Sequence, residues 1–146
     1  MKFIKAAEAI NLIKNNNNLI ISGFGNYCYP KSLLLELIKQ FDKESEPNSL
    51  TVITGISSGN LTYDNEGLNI IANAKLVNKI ITAHMGMSKQ MAEMLSEIES
   101  YTIPLGIYLE MLDSISRNKS FVISKLGLNR YCVPRLNGCK CSSKTT

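Results

Sequence analysis

The sequence predicts an α/β fold, a twisted parallel sheet with helices on both faces. Short apolar runs rich in isoleucine and valine alternate along the chain with longer segments whose apolar residues recur at helical spacing. Such segments are the crossovers that a parallel sheet needs between its strands. The chain has 146 residues, of which 45% are hydrophobic and 19% charged, and these values are typical of one globular domain.

The predicted elements follow one another in a regular order. A short amphipathic helix covers 6–14 and ends at the asparagine run 15–18, because asparagine tolerates turn geometry. The next helix begins at Pro30, whose missing N–H costs nothing in a first turn. Later helices begin at Leu68 and cover 88–98 and 105–117. Strands are predicted at 19–21, 50–53, 79–83, 101–103 and 121–123.

The loops that follow the first strands are the candidate binding region. Ligands of parallel sheets bind outside the carboxyl ends of the strands, where the loops 22–29, 54–67 and 83–88 are expected to meet. Glycines in the first loop allow close backbone approach, and the helix that follows favours an anion. The candidate binding residues are Gly23, Phe24, Gly25, Asn26, Tyr27, Cys28 and Tyr29. A tight turn without a ligand remains the alternative interpretation.

Two alternatives to this kind of site are disfavoured by particular residues. A dinucleotide fold needs a third glycine where Cys28 stands and an acid after the second strand, where Thr54 and Gly55 stand. His84 follows a strand at the same end of the sheet, but no Gly-x-Ser-x-Gly motif accompanies it. A cleft-lining or structural histidine is therefore favoured over a catalytic one.

The charge distribution disfavours nucleic acid as a partner. The net charge of +4 comes from residues 125–146, which carry 5 basic residues and no acid, whereas residues 1–124 carry 11 basic and 12 acidic residues. A nucleic-acid surface needs a basic stripe on a folded face, preferably with stacking aromatic residues. We therefore expect no nucleic-acid binding.

The cysteines predict neither a metal site nor disulfides. Cys139 and Cys141 have a single residue between them, unlike the spacing of zinc ligands, and the only histidine is distant in sequence. No apolar run is long enough to cross a bilayer, and no apolar segment typical of a secretory signal follows Met1 and Lys2. We therefore expect a cytoplasmic chain with unpaired thiols and no membrane partner.

Several runs together resemble one enzyme family. The run IISGFGNYCYPKSLL resembles the glycine-rich first loop of family I coenzyme A transferases, in the subgroup that acts on propionate and other short-chain acyl-CoAs. LTVITGISSG, NEGLNIIANAKLVNKIITAHMG and YTIPLGIYLEMLDSI continue the resemblance in the family's order, over roughly residues 3–135. The resemblance implies that residues 1–135 form part of an incomplete N-terminal, alpha-subunit-like α/β domain. Residues 136–146 have one large apolar residue and no periodic pattern, so a disordered tail is predicted.

The resemblance also implies an activity. It implies transfer of CoA between a short-chain acyl-CoA and a carboxylate, with CoA as a substrate rather than a cofactor and with the loop 23–29 binding it. The family's nucleophilic glutamate lies beyond the matching region, so Glu66 is expected to be a solvated loop residue and no catalytic residue is assigned. A complementary half of the enzyme, or a homo-oligomer, is the expected partner. An inactive remnant, or a CoA- or nucleotide-binding module without turnover, is the alternative.

The chain also departs from the family's pattern. Leu105 stands between Pro104 and Gly106 where the family has glutamine, so a polar side chain is missing near the expected cleft. Val133 stands where the family has aspartate, and Asn129 and Cys139 replace glycines.

Overall fold

One parallel sheet organises the chain. The computed structural model describes residues 3–62 and 65–145. Its four strands are Asn18–Ile20 (β1), Leu50–Ile56 (β2), Val77–His84 (β3) and Glu99–Thr102 (β4), in the order β1-β2-β3-β4 with every pair parallel. The helices are Ala6–Ile10 (α1), Lys31–Glu44 (α2), Lys89–Met94 (α3), Leu105–Ser116 (α4) and a 3₁₀ helix, Gly67–Ile71.

The main core lies on one face of the sheet. Val52 and Ile80 are register partners on β2 and β3, and both are fully buried there. Helix α2 packs on this face through Leu34, Leu37 and Phe41, whose helical spacing places them on one side. Buried side chains of α1, the 3₁₀ helix and α3 complete the cluster. Burial of this apolar surface is the main force that holds the layers together.

Helix α4 covers part of the opposite face. It packs against β2 and β3, and its Tyr108 is buried over Gly55 of β2. A Cβ atom at Gly55 would lie 2.8 Å from the Tyr108 ring, so glycine allows the helix to approach. Burial raises the pKa of the Tyr108 phenol, although a backbone hydrogen bond with Gly55 opposes the rise. The prediction of a parallel sheet with helices on both faces is therefore confirmed.

Some predicted elements differ in the structure. The first helix ends at Ile10 and the third at Met94, both earlier than predicted, and the segment from Leu68 is a 3₁₀ helix. Residues 121–123 form no strand, because residues 139–141 pair with the edge of β4 that such a strand would need. There Thr102 N donates to Cys139 O at 2.8 Å, and Tyr101 pairs antiparallel with Lys140.

The C-terminal segment has a specific packing where the sequence predicts disorder. Cys141 N donates to Ser100 O at 2.9 Å, and the Ser142 hydroxyl donates to Ile98 O at 2.8 Å. Thr145 is buried against Ser100 and exchanges two hydrogen bonds with it. Disorder of residues 136–146 therefore stays a prediction, and these hydrogen bonds provide the means to test it. The expectations that concern residues 1–2, 63–64 and 146 lie outside the described residues.

Across residues 3–62 and 65–145, every helix falls short of the length and apolar character needed to span a bilayer.

Candidate functional site

Three loops meet at the carboxyl ends of the strands. Gly59 N donates to Gly25 O at 2.9 Å, which joins the loop after β1 to the loop after β2. Ser57 N donates to His84 O at 2.8 Å, and Met87 N donates to Ser57 Oγ at 3.3 Å, which joins the loop after β3 to the same region. The prediction that the loops 22–29, 54–67 and 83–88 gather at this edge is confirmed.

The loop between β1 and α2 contains a small hairpin. Phe24 N donates to Tyr27 O and Tyr27 N donates to Phe24 O, each at 3.0 Å, so Gly25 and Asn26 form a two-residue turn. Gly25 has φ 57°, and a positive φ at the first central position is what the favoured hairpin turns require. Phe24 is exposed and Tyr27 is 76% exposed, so both rings remain available to a ligand.

The remaining candidate residues lie on either side of this hairpin. Gly23 contacts the loop after β2 closely, since a Cβ atom there would lie 2.9 Å from Ser58 Cβ. Cys28 is exposed with φ 57°, and its carbonyl accepts a hydrogen bond from the Ser22 hydroxyl at 3.4 Å. Tyr29 is half-buried, and its carbonyl accepts the N–H of Lys31, the first residue of α2.

The N-terminus of α2 offers fewer free donors than the sequence suggests. Lys31 N donates to Tyr29 O at 2.9 Å, and Leu33 N and Leu34 N donate to Pro30 O at 3.0 and 3.1 Å. Only unpaired N–H groups of a first turn bind an anion well. The local fold thus uses donors that a phosphate would need.

Buried hydrogen bonds fix the loop after β2. Ser58 O accepts from Leu68 N at 2.7 Å and from the Ser88 hydroxyl at 2.6 Å. Gly67 has φ 59°, and any Cβ atom there would collide with Ser58 O. Asn69 is buried and accepts from Gln90 N at 3.1 Å, which ties the 3₁₀ helix to α3. The loop therefore has a defined position beside the hairpin.

A cavity of about 410 Å³ lies between these loops. Its volume falls within the range of roughly 300–1,000 Å³ that is typical of small-molecule sites. The lining residues are Phe24, Gly25, Asn26, Tyr27, Gly59, Asn60, Leu61, Thr62 and Met87. Four of the seven candidate binding residues thus line the cavity, whereas Gly23, Cys28 and Tyr29 flank it.

His84 and Glu66 lie near the loops but outside this lining. His84 ends β3 with an exposed side chain whose ring lies against Gly86, where a Cβ atom would be 2.8 Å from Nε2. Glu66 is half-buried, and its carbonyl accepts Asn69 N at 3.2 Å. Across residues 3–62 and 65–145, no three histidine, cysteine or carboxylate side chains are arranged to hold a metal ion.

Sequence reasoning did not single out Asn60, Leu61, Thr62 or Met87 as site residues. Each lies in a loop that directly follows a strand, and this position is the sequence feature that could have identified it as a site residue. The sequence predicts that these loops gather, but the lining side chains depend on how closely the loops approach.

Comparison with known proteins shows what the chain is similar to. No family model matches it. The caffeate CoA-transferase of Acetobacterium woodii is 26% identical over 147 residues, which are 99% of this chain and 28% of that protein. One subunit of the probable succinyl-CoA:3-ketoacid coenzyme A transferase of Bacillus subtilis (strain 168) is 30% identical over 107 residues, which are 72% of this chain and 41% of that protein.

A solved structure shows the same fold. The acyl-CoA transferase YdiF apoenzyme from Escherichia coli O157:H7 superposes with a TM-score of 0.88 at 23% identity, over 98% of this chain and 28% of that one. The fold is thus that of an acyl-CoA transferase α/β domain. The chain is a homologue of coenzyme A transferases, as the resemblance in its sequence implies. It spans less than half the length of these relatives.

Proposed function

We propose that the chain forms the CoA-binding wall of an enzyme that moves CoA between a short-chain acyl-CoA and a carboxylate. One observation supports this function above the others. A cavity of ligand size lies at the carboxyl ends of the strands, beside the glycine-rich loop, in a chain whose relatives are named CoA-transferases. Parallel sheets bind their ligands at this edge.

In this proposal the β1–α2 loop contacts CoA directly. The seven residues Gly23, Phe24, Gly25, Asn26, Tyr27, Cys28 and Tyr29 form the contact. Gly25 allows the backbone to approach the ligand, since it has no side chain at the hairpin tip. The exposed rings of Phe24 and Tyr27 supply apolar contact area that loses little conformational entropy on binding.

The chemical step needs a group that none of the described lining residues supplies. Transfer through a glutamyl thioester requires a glutamate carboxylate that attacks the acyl-CoA carbonyl, which releases the CoA thiolate and forms a mixed anhydride. The thiolate then attacks the glutamyl carbonyl of the anhydride, and the acyl group leaves as a free carboxylate. None of the described residues that line the cavity carries a carboxylate. Glu66 lies outside the lining. The proposal therefore assigns the nucleophile to a complementary polypeptide.

An exposed apolar surface supports such a partner. The helix α4 and the segment after it expose large apolar side chains, namely Leu105, Leu109, Ile115, Phe121, Ile123, Leu126 and Leu128. Large exposed apolar patches are uncommon on monomers and typical of interfaces, and this part of the chain is rich in exposed apolar side chains. The relatives extend far beyond the matched region, and their additional chain is the partner that we propose for this surface.

The proposal includes a cytoplasmic location. Cys28, Cys132, Cys139 and Cys141 are all free thiols in the structure. Unpaired cysteines are typical of reducing compartments, because oxidising ones favour disulfides.

A reconstitution assay tests the function. Acyl exchange between an acyl-CoA and acetate is measured with the chain alone and with a second-half polypeptide cloned from a CoA-transferase. We expect turnover only with the second half. Turnover by the chain alone that is lost in Glu66→Gln would contradict the assignment of the nucleophile.

One observation favours a module that binds CoA without turnover. Leu105 begins α4 at the place where the family has glutamine, and its side chain lies near Gly55 of β2, where an added Cβ atom would be 3.4 Å from Leu105 Cδ1. An apolar side chain at this edge cannot donate a hydrogen bond to a reacting carboxylate. Shifts of the loop amides on CoA titration, without exchange in either arm of the assay, would support this second candidate.

A further inference from the structure

Three of the four cysteines lie near the C-terminal end of the chain, and the thiols of two of them meet. Cys132, Cys139 and Cys141 belong to this group, whereas Cys28 lies in the β1–α2 loop. The thiols of Cys132 and Cys139 are in hydrogen-bond contact with each other. The Cys141 sulfur instead lies 2.8 Å from the hydroxyl oxygen of Thr102. The structure therefore pairs Cys132 with Cys139 and leaves Cys141 aside.

Backbone hydrogen bonds bring the two paired cysteines together. The segment between them turns back on itself, because Val133 O accepts a hydrogen bond from Gly138 N at 3.2 Å. Cys139 N then donates to Tyr131 O at 3.4 Å, which places Cys139 beside the residue that precedes Cys132. A disulfide forms only between cysteines whose backbones already approach closely, and this turn supplies that approach.

The two thiols differ in how readily an oxidant reaches them. Cys132 is half-buried, whereas Cys139 is 7% exposed. Burial, followed by the hydrogen bond with Cys132, raises the pKa of the Cys139 thiol to about 12, so Cys139 stays protonated near neutral pH. An oxidant in solution therefore reaches Cys132 first, and Cys139 lies where it can attack the oxidised sulfur.

We propose that Cys132 and Cys139 are an oxidative modification site, at which hydrogen peroxide forms a reversible intramolecular disulfide. The Cys132 sulfur attacks one peroxide oxygen, the O–O bond breaks, and water leaves with the thiol proton. The Cys139 sulfur then attacks the sulfur of the resulting sulfenic acid, so that the S–S bond forms and the S–O bond breaks. A second water leaves with the Cys139 proton. The two thiols lose two electrons in total, and these electrons reduce the peroxide to water.

The disulfide anchors the C-terminal segment at the edge of β4. Cys139 O accepts Thr102 N at 2.8 Å, and the Tyr131 hydroxyl donates to Thr102 O at 3.2 Å. A bond between Cys132 and Cys139 closes the loop that lies between these two contacts, which reduces the freedom of the segment when it is detached. The segment therefore leaves the sheet edge less often in the oxidised chain than in the reduced one.

Peptide mapping tests the pairing. The full chain is treated with hydrogen peroxide, the remaining thiols are alkylated, and the chain is digested with trypsin without reduction. Trypsin cleaves after arginine and lysine, so residues 131–135, 136–140 and 141–144 form separate peptides with one cysteine each. We expect mass spectrometry to detect a cross-link between the first two peptides that dithiothreitol removes.

Oxidation of the unfolded chain in urea is the control. We expect a mixture of pairings there, because the turn no longer selects the partner of Cys132. The same mixture from the folded chain, or a cross-link from 136–140 to 141–144, would overturn the proposal. Equal selectivity in urea would also overturn it, because sequence spacing rather than the fold would then select the pair.

Two serine variants provide a second test. Cys132→Ser is expected to abolish the cross-link, whereas the matched control Cys141→Ser is expected to retain it, because Cys141 lies outside the pair. On oxidation, the Thr102 amide of the unmodified chain and of Cys141→Ser should exchange with solvent at least about threefold more slowly. In Cys132→Ser the exchange rate should not change. An unmodified chain that forms the cross-link with no change at Thr102 would contradict the anchoring of the segment.

Discussion

The substitution Thr145→Val tests how the end of the chain is held. Thr145 is only 5% exposed, and its hydroxyl accepts a hydrogen bond from Ser100 N at 2.9 Å and donates one to Ser100 O at 3.1 Å. Ser100 lies in β4 and is itself fully buried. Valine has nearly the shape of threonine, so the substitution removes the hydroxyl with little change in packing.

The expected loss of stability follows from these two bonds. Ser100 O keeps the hydrogen bond from Cys141 N at 2.9 Å, but Ser100 N is left without its partner. An unsatisfied buried N–H costs about 1–3 kcal/mol. For a chain of this length, about 3 °C per kcal/mol gives a fall of roughly 3–9 °C in the midpoint of thermal unfolding.

Thermal unfolding followed by circular dichroism measures this effect. Thr62→Val is the matched control, because it makes the same replacement of a hydroxyl by a methyl group at an exposed position. We expect the control to unfold within about 1 °C of the unmodified chain. Equal midpoints for Thr145→Val and the unmodified chain would refute the packing argument, and would agree with the disordered tail that the sequence predicts.

Three further predictions use other residues. Burial, followed by a hydrogen bond with the Cys132 thiol, raises the pKa of the Cys139 thiol to about 12. Iodoacetamide should therefore label Cys139 more than about tenfold more slowly than the exposed Cys28. Equal labelling rates would indicate an unpacked tail. The hydrogen bond from Lys79 lowers the pKa of Glu99 in the folded chain. The pair therefore stabilises the fold at pH values above the pKa of glutamate in the unfolded chain, and this stabilisation is lost as the pH falls through the pKa of Glu99 in the folded chain. The urea midpoints of Glu99→Gln and the unmodified chain should thus differ near neutral pH and converge in acid, and a constant difference would contradict the assignment. Gly25→Val should abolish the CoA-induced amide shifts. It should also cost about 1–3 kcal/mol of stability, because valine at φ 57° is strained. Retained shifts would show that the loop backbone does not contact CoA.

Local patterns in the sequence were sufficient for the sheet and its main core. Alternation of apolar runs with helical segments predicted the parallel sheet. Helical spacing also predicted an apolar face on α2, and of its residues Leu34, Leu37 and Phe41 are buried, Ile38 is partly buried and Leu33 is exposed. The position of the glycine-rich loop at a strand end also followed from this order. Periodicity is a property of neighbouring residues, so it can be recognised before the fold is known.

Long-range contacts decided the remainder. Residues 121–123 have the composition of a strand, yet residues 139–141 occupy the edge of β4 where another strand could pair. The cavity combines residues 24–27, 59–62 and Met87, which lie in three loops far apart in the chain. Edge pairing and loop approach are set by hydrogen bonds between residues distant in the chain, and no local pattern encodes them. The sequence by itself therefore predicts a binding region at these loops, whereas only the folded chain decides which of their side chains line a cavity there.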